Sequence, residues 1–289
     1  MESIHSKFWS KVEMKSYRDY YRHKLILITG GSSGIGKALA LKLDQAGAKL
    51  VLVARRMELL LATQSLMRGP CRVIAADVSD ASQVEKAINE VEKDLGVPDI
   101  IINSAGVAHP GYVQELPLSV FREMMEINYF GTVNTVKAAL PSMLARQSGW
   151  IVNISSVAGF IGVFGYTAYG ASKFAVRGFS DALRAELKPL GIGVSIVFPP
   201  DTDTPQLTYE NTLKPPETKA LAGNAGLLSP DEVAEEILLS VKKRRYLILP
   251  GREAKLLYVL HHVLGGTIYP IMDILIRRAR RKLQNIKGG

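Results

Sequence analysis

The sequence predicts an α/β protein built on one doubly wound, parallel sheet of seven strands. Three observations predict it. Short runs rich in Val, Ile and Leu recur along the chain, apolar enough to be buried on both faces as parallel strands are. Longer segments of helical pattern alternate with them. A glycine-rich turn stands where the first run meets the first helical segment.

The elements follow in order. "KLILITG" (24–30) reads as the first strand, and "GIGKALALKLDQAG" (34–47) as a helix ending on glycine. "AKLVLVA" (48–54) and "CRVIAAD" (71–77) are the second and third strands. "SDASQVEKAINEVEKDLG" (79–96) is a helix that Ser79 or Asp80 can cap. "DIIINSA" (99–105), "WIVNISS" (150–156), "GVSIVFP" (193–199) and "YLILP" (246–250) complete the sheet. With no internal repeat or low-complexity tract, one domain is expected at about 25–250, between a basic extension at 1–24 and an apolar and basic segment at 251–289.

Composition bounds the function. An apolar fraction of 47% supports a real core. The single cysteine, Cys71, excludes an intramolecular disulfide framework and thiolate-based metal chemistry, and fits a reducing compartment. The net charge of +9 is concentrated in "KKRR" (242–245) and "RRARRK" (277–282). The second cluster follows "LLYVLHHVLGGTIYPIMDILI" (256–276), an apolar run interrupted by His261, His262, Pro270 and Asp273. That combination favours a segment lying in or dipping into a membrane interface over a spanning helix, and argues against nucleic acid. A helical pair covering the domain's own core or a dimer interface is the other reading.

In residues 1–24, Ile4, Phe8, Trp9 and Val12 share one helical face, which reads as a packed extension or a second interfacial foot. No long apolar stretch is present there, so the chain is expected not to be secreted but to stay on the cytoplasmic side, peripherally or monotopically bound to membrane.

Ligands bind such a sheet beyond the carboxyl ends of its strands. "TGGSSGIG" (29–36), between strand and helix, fits a dinucleotide fingerprint: Gly30 for the tight turn, Gly34 for close approach of a pyrophosphate, Gly36 for packing of helix on strand. The second strand ends on Ala54, Arg55 and Arg56, where an NAD site usually has an acid. A guanidinium there accepts a 2′-phosphate, so NADPH/NADP+ is the expected cofactor, with Arg55 preferred over Arg56.

In "SSVAGFIGVFGYTAYGASK" (155–173), Tyr169 and Lys173 stand four apart, on one face of a helix. An adjacent ammonium is expected to bring the phenol closer to working pH as an acid–base group. Ser156, at the end of the preceding strand, can hydrogen-bond the same substrate oxygen.

With these motifs together, residues 24–250 resemble the short-chain dehydrogenase/reductase family with its Ser–Tyr–Lys catalytic set and Rossmann-type fold. "TGGSSGIG", "NSAG" (103–106) and "YGASK" (169–173) carry the resemblance. It implies Asn128 as a fourth catalytic member, positioning a water that joins Lys173 to a proton relay. It selects Ser156 over Ser155 by the family's thirteen-residue separation from the tyrosine. It further implies cofactor contacts from Gly30, Ser32, Ser33, Gly34 and Ile35, then Arg55, with Asp77 and Val78 at the adenine edge and Asn103, Ala105 and Gly106 in the turn after the fourth strand. Tyr169 and Lys173 contribute again, with Pro199, Thr202 and Thr204 around the nicotinamide and phosphates.

"PPDTDTP" (199–205) narrows the resemblance to the 3-ketodihydrosphingosine reductases, a branch that uses NADPH to reduce a ketone on a long-chain amino alcohol. The substrate so implied is a membrane-dwelling amphiphilic ketone, whose ammonium Asp201 or Asp203 could favour. Residues 205–230 are expected to form a lid over it, and helices near 118–145 and 167–189 to make homodimer or homotetramer contacts. Two alternatives stand: a sister enzyme acting on steroid, retinoid or fatty-acyl carbonyls, and a non-catalytic cofactor-sensing or scaffold protein. "NIS" (153–155), a formal glycosylation match, falls in a predicted buried strand and is discounted.

Overall fold

A computed structural model describes residues 17–222 and 226–287; the amphipathic pattern read in residues 4–12 lies outside the described residues. The chain alternates as expected: β1 (Leu25–Thr29), α1 (Gly34–Gln45), β2 (Lys49–Ala54), α2 (Met57–Gln64), β3 (Cys71–Ala75), α3 (Ala81–Leu95) and β4 (Ile100–Asn103). Next come α4 (Leu118–Met124), a π-helical turn (Met125–Phe130), α5 (Gly131–Arg146), β5 (Gly149–Ile154), α6 (Thr167–Leu187) and β6 (Ile192–Val197). The C-terminal part holds α7 (Pro205–Leu213), α8 (Pro216–Ala222), α9 (Pro230–Lys242), β7 (Leu247–Ile248), α10 (Gly251–Leu264) and α11 (Ile268–Lys287).

All seven strands are parallel, in the order β3-β2-β1-β4-β5-β6-β7. Strand order reverses between β1 and β4, so a crevice opens beyond their carboxyl ends. The two-residue period of each strand feeds two cores. Ile26 and Ile28 of β1 pack with Leu39 and Leu43 of α1 and Ile237 of α9, whereas Leu25 and Leu27 face Ile88 of α3 and Leu187 of α6.

Two sequence expectations are refined. β3 is the sheet edge and is only partly buried, not covered on both faces; Arg72 on it pairs with Glu90 and Asp94 of α3, the kind of charge that keeps an edge from pairing with another chain. Asp80, not Ser79, caps α3, accepting from the amides of Ser82 and Gln83. Deep in the sheet, Asn103 donates to Asn153 at 2.9 Å and Asn153 to Ser180 at 2.9 Å. Asn153 is fully buried, so the "NIS" sequence is inaccessible in the folded chain.

The expected lid is helical, α7 and α8. Beyond it, α10 and α11 turn one side inward: Ala254 and Ile268 are buried, and Leu257, Tyr258 and Met272 pack against Phe160 and Phe198. Their other side leaves Leu256, Val259, Val263 (77% exposed), Tyr269 and Ile274 in the open. By length and composition the stretch Gly251–Gln284 is apolar enough to cross a membrane, a weak pointer to membrane association.

Candidate active site

The site begins where β1 and β4 end together. Gly30 adopts φ +70°, and a Cβ there would stand 2.7 Å from the Ala105 amide nitrogen, so only glycine lets the two turns meet. A Cβ on Gly36 would lie 2.3 Å from the Gly30 carbonyl oxygen, so α1 presses on the turn with no room for a side chain. Ser33 opens α1 without a side-chain cap, and the first turn holds no acid. Ser33, Gly34 and Ile35 line the cavity at this helix start, whose free N–H groups suit an anion. Ser32 stands just outside, its carbonyl accepting from Thr63 Oγ1 at 3.4 Å.

At the ends of β2 and β3, Arg55 and Asp77 meet at 3.8 Å, with the Arg55 side chain 57% exposed. The other carboxylate oxygen of Asp77 accepts from the Ser79 amide and hydroxyl at 3.0 and 2.7 Å. Val78 points into the core beside Gly131, and its carbonyl accepts from Asn134 Nδ2 at 2.9 Å. Arg56 starts α2 and is exposed.

Beyond β5, the Ser156 hydroxyl accepts from the Ala158 amide at 3.2 Å. Tyr169 and Lys173 stand one turn apart on α6, both buried and both on the wall of the same cavity. Lys173 Nζ donates to the Ile154 carbonyl at 3.0 Å. Ser155, the neighbour of Ser156, instead donates to the Lys173 carbonyl at 3.0 Å and has a packing role. Asn128, in the π-helical turn, bonds both the amide and the carbonyl of Val107 and donates to Ser172 Oγ at 2.9 Å. A Cβ on Gly106 would stand 3.1 Å from Asn128 Oδ1 and 3.4 Å from Lys173 Nζ, so these three positions border one space.

The electrostatics correct one expectation. The ammonium was expected to draw the phenol down; instead burial, followed by the Glu210 carboxylate, pushes the Tyr169 pKa up, against a lowering hydrogen bond with Ser156. Burial likewise lowers Lys173 to about 8, opposed by Glu210. Burial makes charge expensive here for both groups.

After β6, Pro199 and Pro200 form the cavity floor, Thr202 is buried, and Thr204 caps α7 through its hydroxyl at 3.2 Å from the Leu207 amide. Its methyl group faces Gly34. One continuous cavity of about 510 Å³ thus runs from the glycine turn past Ser156, Tyr169 and Lys173 to Leu257, Met272 and Leu275 of α10 and α11. An uncapped helix N-terminus and glycines lining the wall fit a dinucleotide; Arg55 stands outside the cavity lining.

Sequence reasoning missed two residues on this wall, Tyr166 and Glu210. The Tyr166 hydroxyl donates to Glu210 Oε2 at 2.5 Å. Tyr166 stands three positions before Tyr169, a spacing that brings side chains together on a helix; nothing in the sequence pointed to Glu210.

Residues 24–214 match the short chain dehydrogenase family. Over 221 residues the chain is 41% identical to a 3-ketodihydrosphingosine reductase of Mus musculus, covering 74% of this chain and 67% of that protein. A 3-ketodihydrosphingosine reductase of Dictyostelium discoideum is 36% identical over 274 residues, 88% of this chain and 82% of that one. Among solved structures, levodione reductase superposes with a TM-score of 0.74 at 26% identity, covering 81% of this chain and 98% of that chain.

Proposed function

This chain belongs to the short chain dehydrogenase family, and from that membership we propose that it uses NADPH to reduce the ketone of 3-ketodihydrosphingosine to dihydrosphingosine. The observation that carries the reading is the convergence of Ser156, Tyr169 and Lys173 on one cavity that also holds the glycine turn and an apolar far wall. The relatives supply the substrate class.

NADPH, when bound, supplies the hydride that adds to the ketone carbon. The first glycine motif and Gly106 would cradle the dinucleotide, and Arg55 would take its 2′-phosphate. Tyr169 donates a proton to the ketone oxygen, and its raised pKa keeps the hydroxyl protonated, as an acid must be before the reaction. Ser156 hydrogen-bonds the same oxygen as charge develops on it. Lys173 orients the ribose and, when charged, faces the phenolate left behind. Asn128 positions a water through which the proton is replaced.

The outer side of α10 and α11, apolar and followed by Arg277, Arg278, Arg281 and Lys282, is the proposed contact with an anionic, cytoplasm-facing membrane surface. Phe130 and Phe174, exposed near and on α6, support self-association as a dimer or tetramer.

The deciding assay uses purified full-length chain, NADPH and 3-ketodihydrosphingosine beside steroid and retinoid ketones. Preferential turnover of the sphingoid ketone is expected. Turnover of steroid or retinoid ketones alone would move the chain to a sister activity, and no nucleotide consumption with any ketone would favour the non-catalytic reading.

A further inference from the structure

Helix α7 carries a carboxyl group that the reaction described above leaves unused. Glu210 is 7% exposed and lies on the wall of the cavity that holds Tyr169 and Ser156. Buried carboxylates are ordinarily paired, yet among the described residues Glu210 enters no ion pair; Lys214, the cation acting on it, is bonded to Asp201 at 3.1 Å. It has hydrogen bonds instead. Tyr166 donates to Oε2 at 2.5 Å and Gln206 Nε2 donates to Oε1 at 2.9 Å. A carboxylate offers about four acceptor positions, so room remains for a donor from the cavity.

The position is close to the chemistry. The Tyr166 and Tyr169 rings stand 5.7 Å apart between centroids, so Glu210 is separated from the Tyr169 side chain by one tyrosine. Its charge raises the pKa of both Tyr169 and Lys173.

We propose that Glu210, oriented by Tyr166 and Gln206, is the subsite for a primary ammonium carried on the carbon next to the substrate ketone. The assignment rests on the reading of the chain as a reductase of a long-chain amino ketone. In such a molecule the cation is one carbon away from the ketone, so its counter-charge must lie within a residue's reach of the hydroxyl that meets the ketone oxygen. Asp201 and Asp203, the acids suggested by sequence, are less suited: Asp201 is half exposed and paired with Lys214, and Asp203 is exposed. An ammonium bound at Glu210 also offsets the field that weakens Tyr169 as an acid. Recognition of the amine and proton donation are thereby coupled.

The test compares KM, with the full chain and NADPH, for 3-ketodihydrosphingosine, its N-acetyl derivative and the same ketone without nitrogen. In the unmodified chain the amino ketone is expected to have a KM at least about tenfold below both uncharged ketones, the discrimination of one charge-assisted hydrogen bond. Glu210→Gln keeps an acceptor for Tyr166 and removes the charge; it is expected to collapse that ratio by raising the KM of the amino ketone. A ratio that survives in Glu210→Gln, or that collapses in Asp201→Asn instead, overturns the assignment and leaves the reductase reading intact. Reduction of the nitrogen-free ketone with none of the amino ketone overturns the reading of the chain as a reductase of a long-chain amino ketone. Should Glu210→Gln not fold, equal KM values for the amino ketone and its N-acetyl derivative in the unmodified chain are enough to overturn the assignment.

Discussion

The ammonium of Lys173 stands 5.6 Å from the ring centroid of Tyr169, tethered there by the Ile154 carbonyl at the end of β5. One strand end and one helix therefore fix the pair, and the pair is buried. Burial is what gives both groups unusual proton affinities.

Stability should report the lysine directly. With the folded group near 8 and the unfolded one at 10.5, the unfolded chain binds more protons between those values. Stability therefore rises with pH across that window, and below it the full cost of the buried charge is present. Urea unfolding of the cofactor-free protein is expected to show its stability rising relative to Lys173→Met by on the order of 3 kcal/mol from the bottom to the top of the window. A difference curve that is flat there contradicts the buried-ammonium account.

Tyr169→Phe removes the proton donor and little else. We expect kcat to fall by at least about 10²-fold with nucleotide affinity, followed by fluorescence titration, unchanged. Near-normal turnover would remove Tyr169 from its assigned role.

Arg55 sets cofactor choice in this account. Arg55→Ala is expected to raise the KM for NADPH about tenfold or more and to leave that for NADH nearly as it was. Equal losses with both nucleotides would mean that Arg55 supports the fold through Asp77 instead of reading the 2′-phosphate.

The exposed side of α10 and α11 can be altered without touching the core. Val263→Glu combined with Tyr269→Glu is expected to abolish co-sedimentation with anionic vesicles, with thermal stability retained because both side chains are exposed. Undiminished vesicle binding would locate the membrane contact elsewhere.

Much of this architecture was legible in the sequence because its signals are local. The apolar runs mark parallel strands, and Tyr169 with Lys173 needs only helical spacing to be seen as neighbours. β3 was misjudged because "CRVIAAD" looks like a central strand, and its edge position depends on the crossover order, which no local pattern encodes. The direction of the Tyr169 shift was misread for a related reason. Spacing gives the distance to an ammonium, but not the dielectric around both groups or the approach of Glu210 from a helix 41 positions further along. Glu210 itself sits in "PQLTYENTL", a segment with no amphipathic pattern to separate a buried acid from a solvated one.

The wide turn at 125–130 has a consequence for how this stretch can vary. A π-helical turn accommodates one residue more than the α-helix on either side of it. Deleting a single residue there would restore uninterrupted α winding and leave the two flanking helices in nearly the same rotational register. Val120 and Met124 would keep the cluster they share with Tyr166 and Tyr169, while Asn128, inside the wide turn, would lose the backbone position from which it reaches Val107 and Ser172. The turn itself, and not the helices around it, is where a change in the number of residues would be felt.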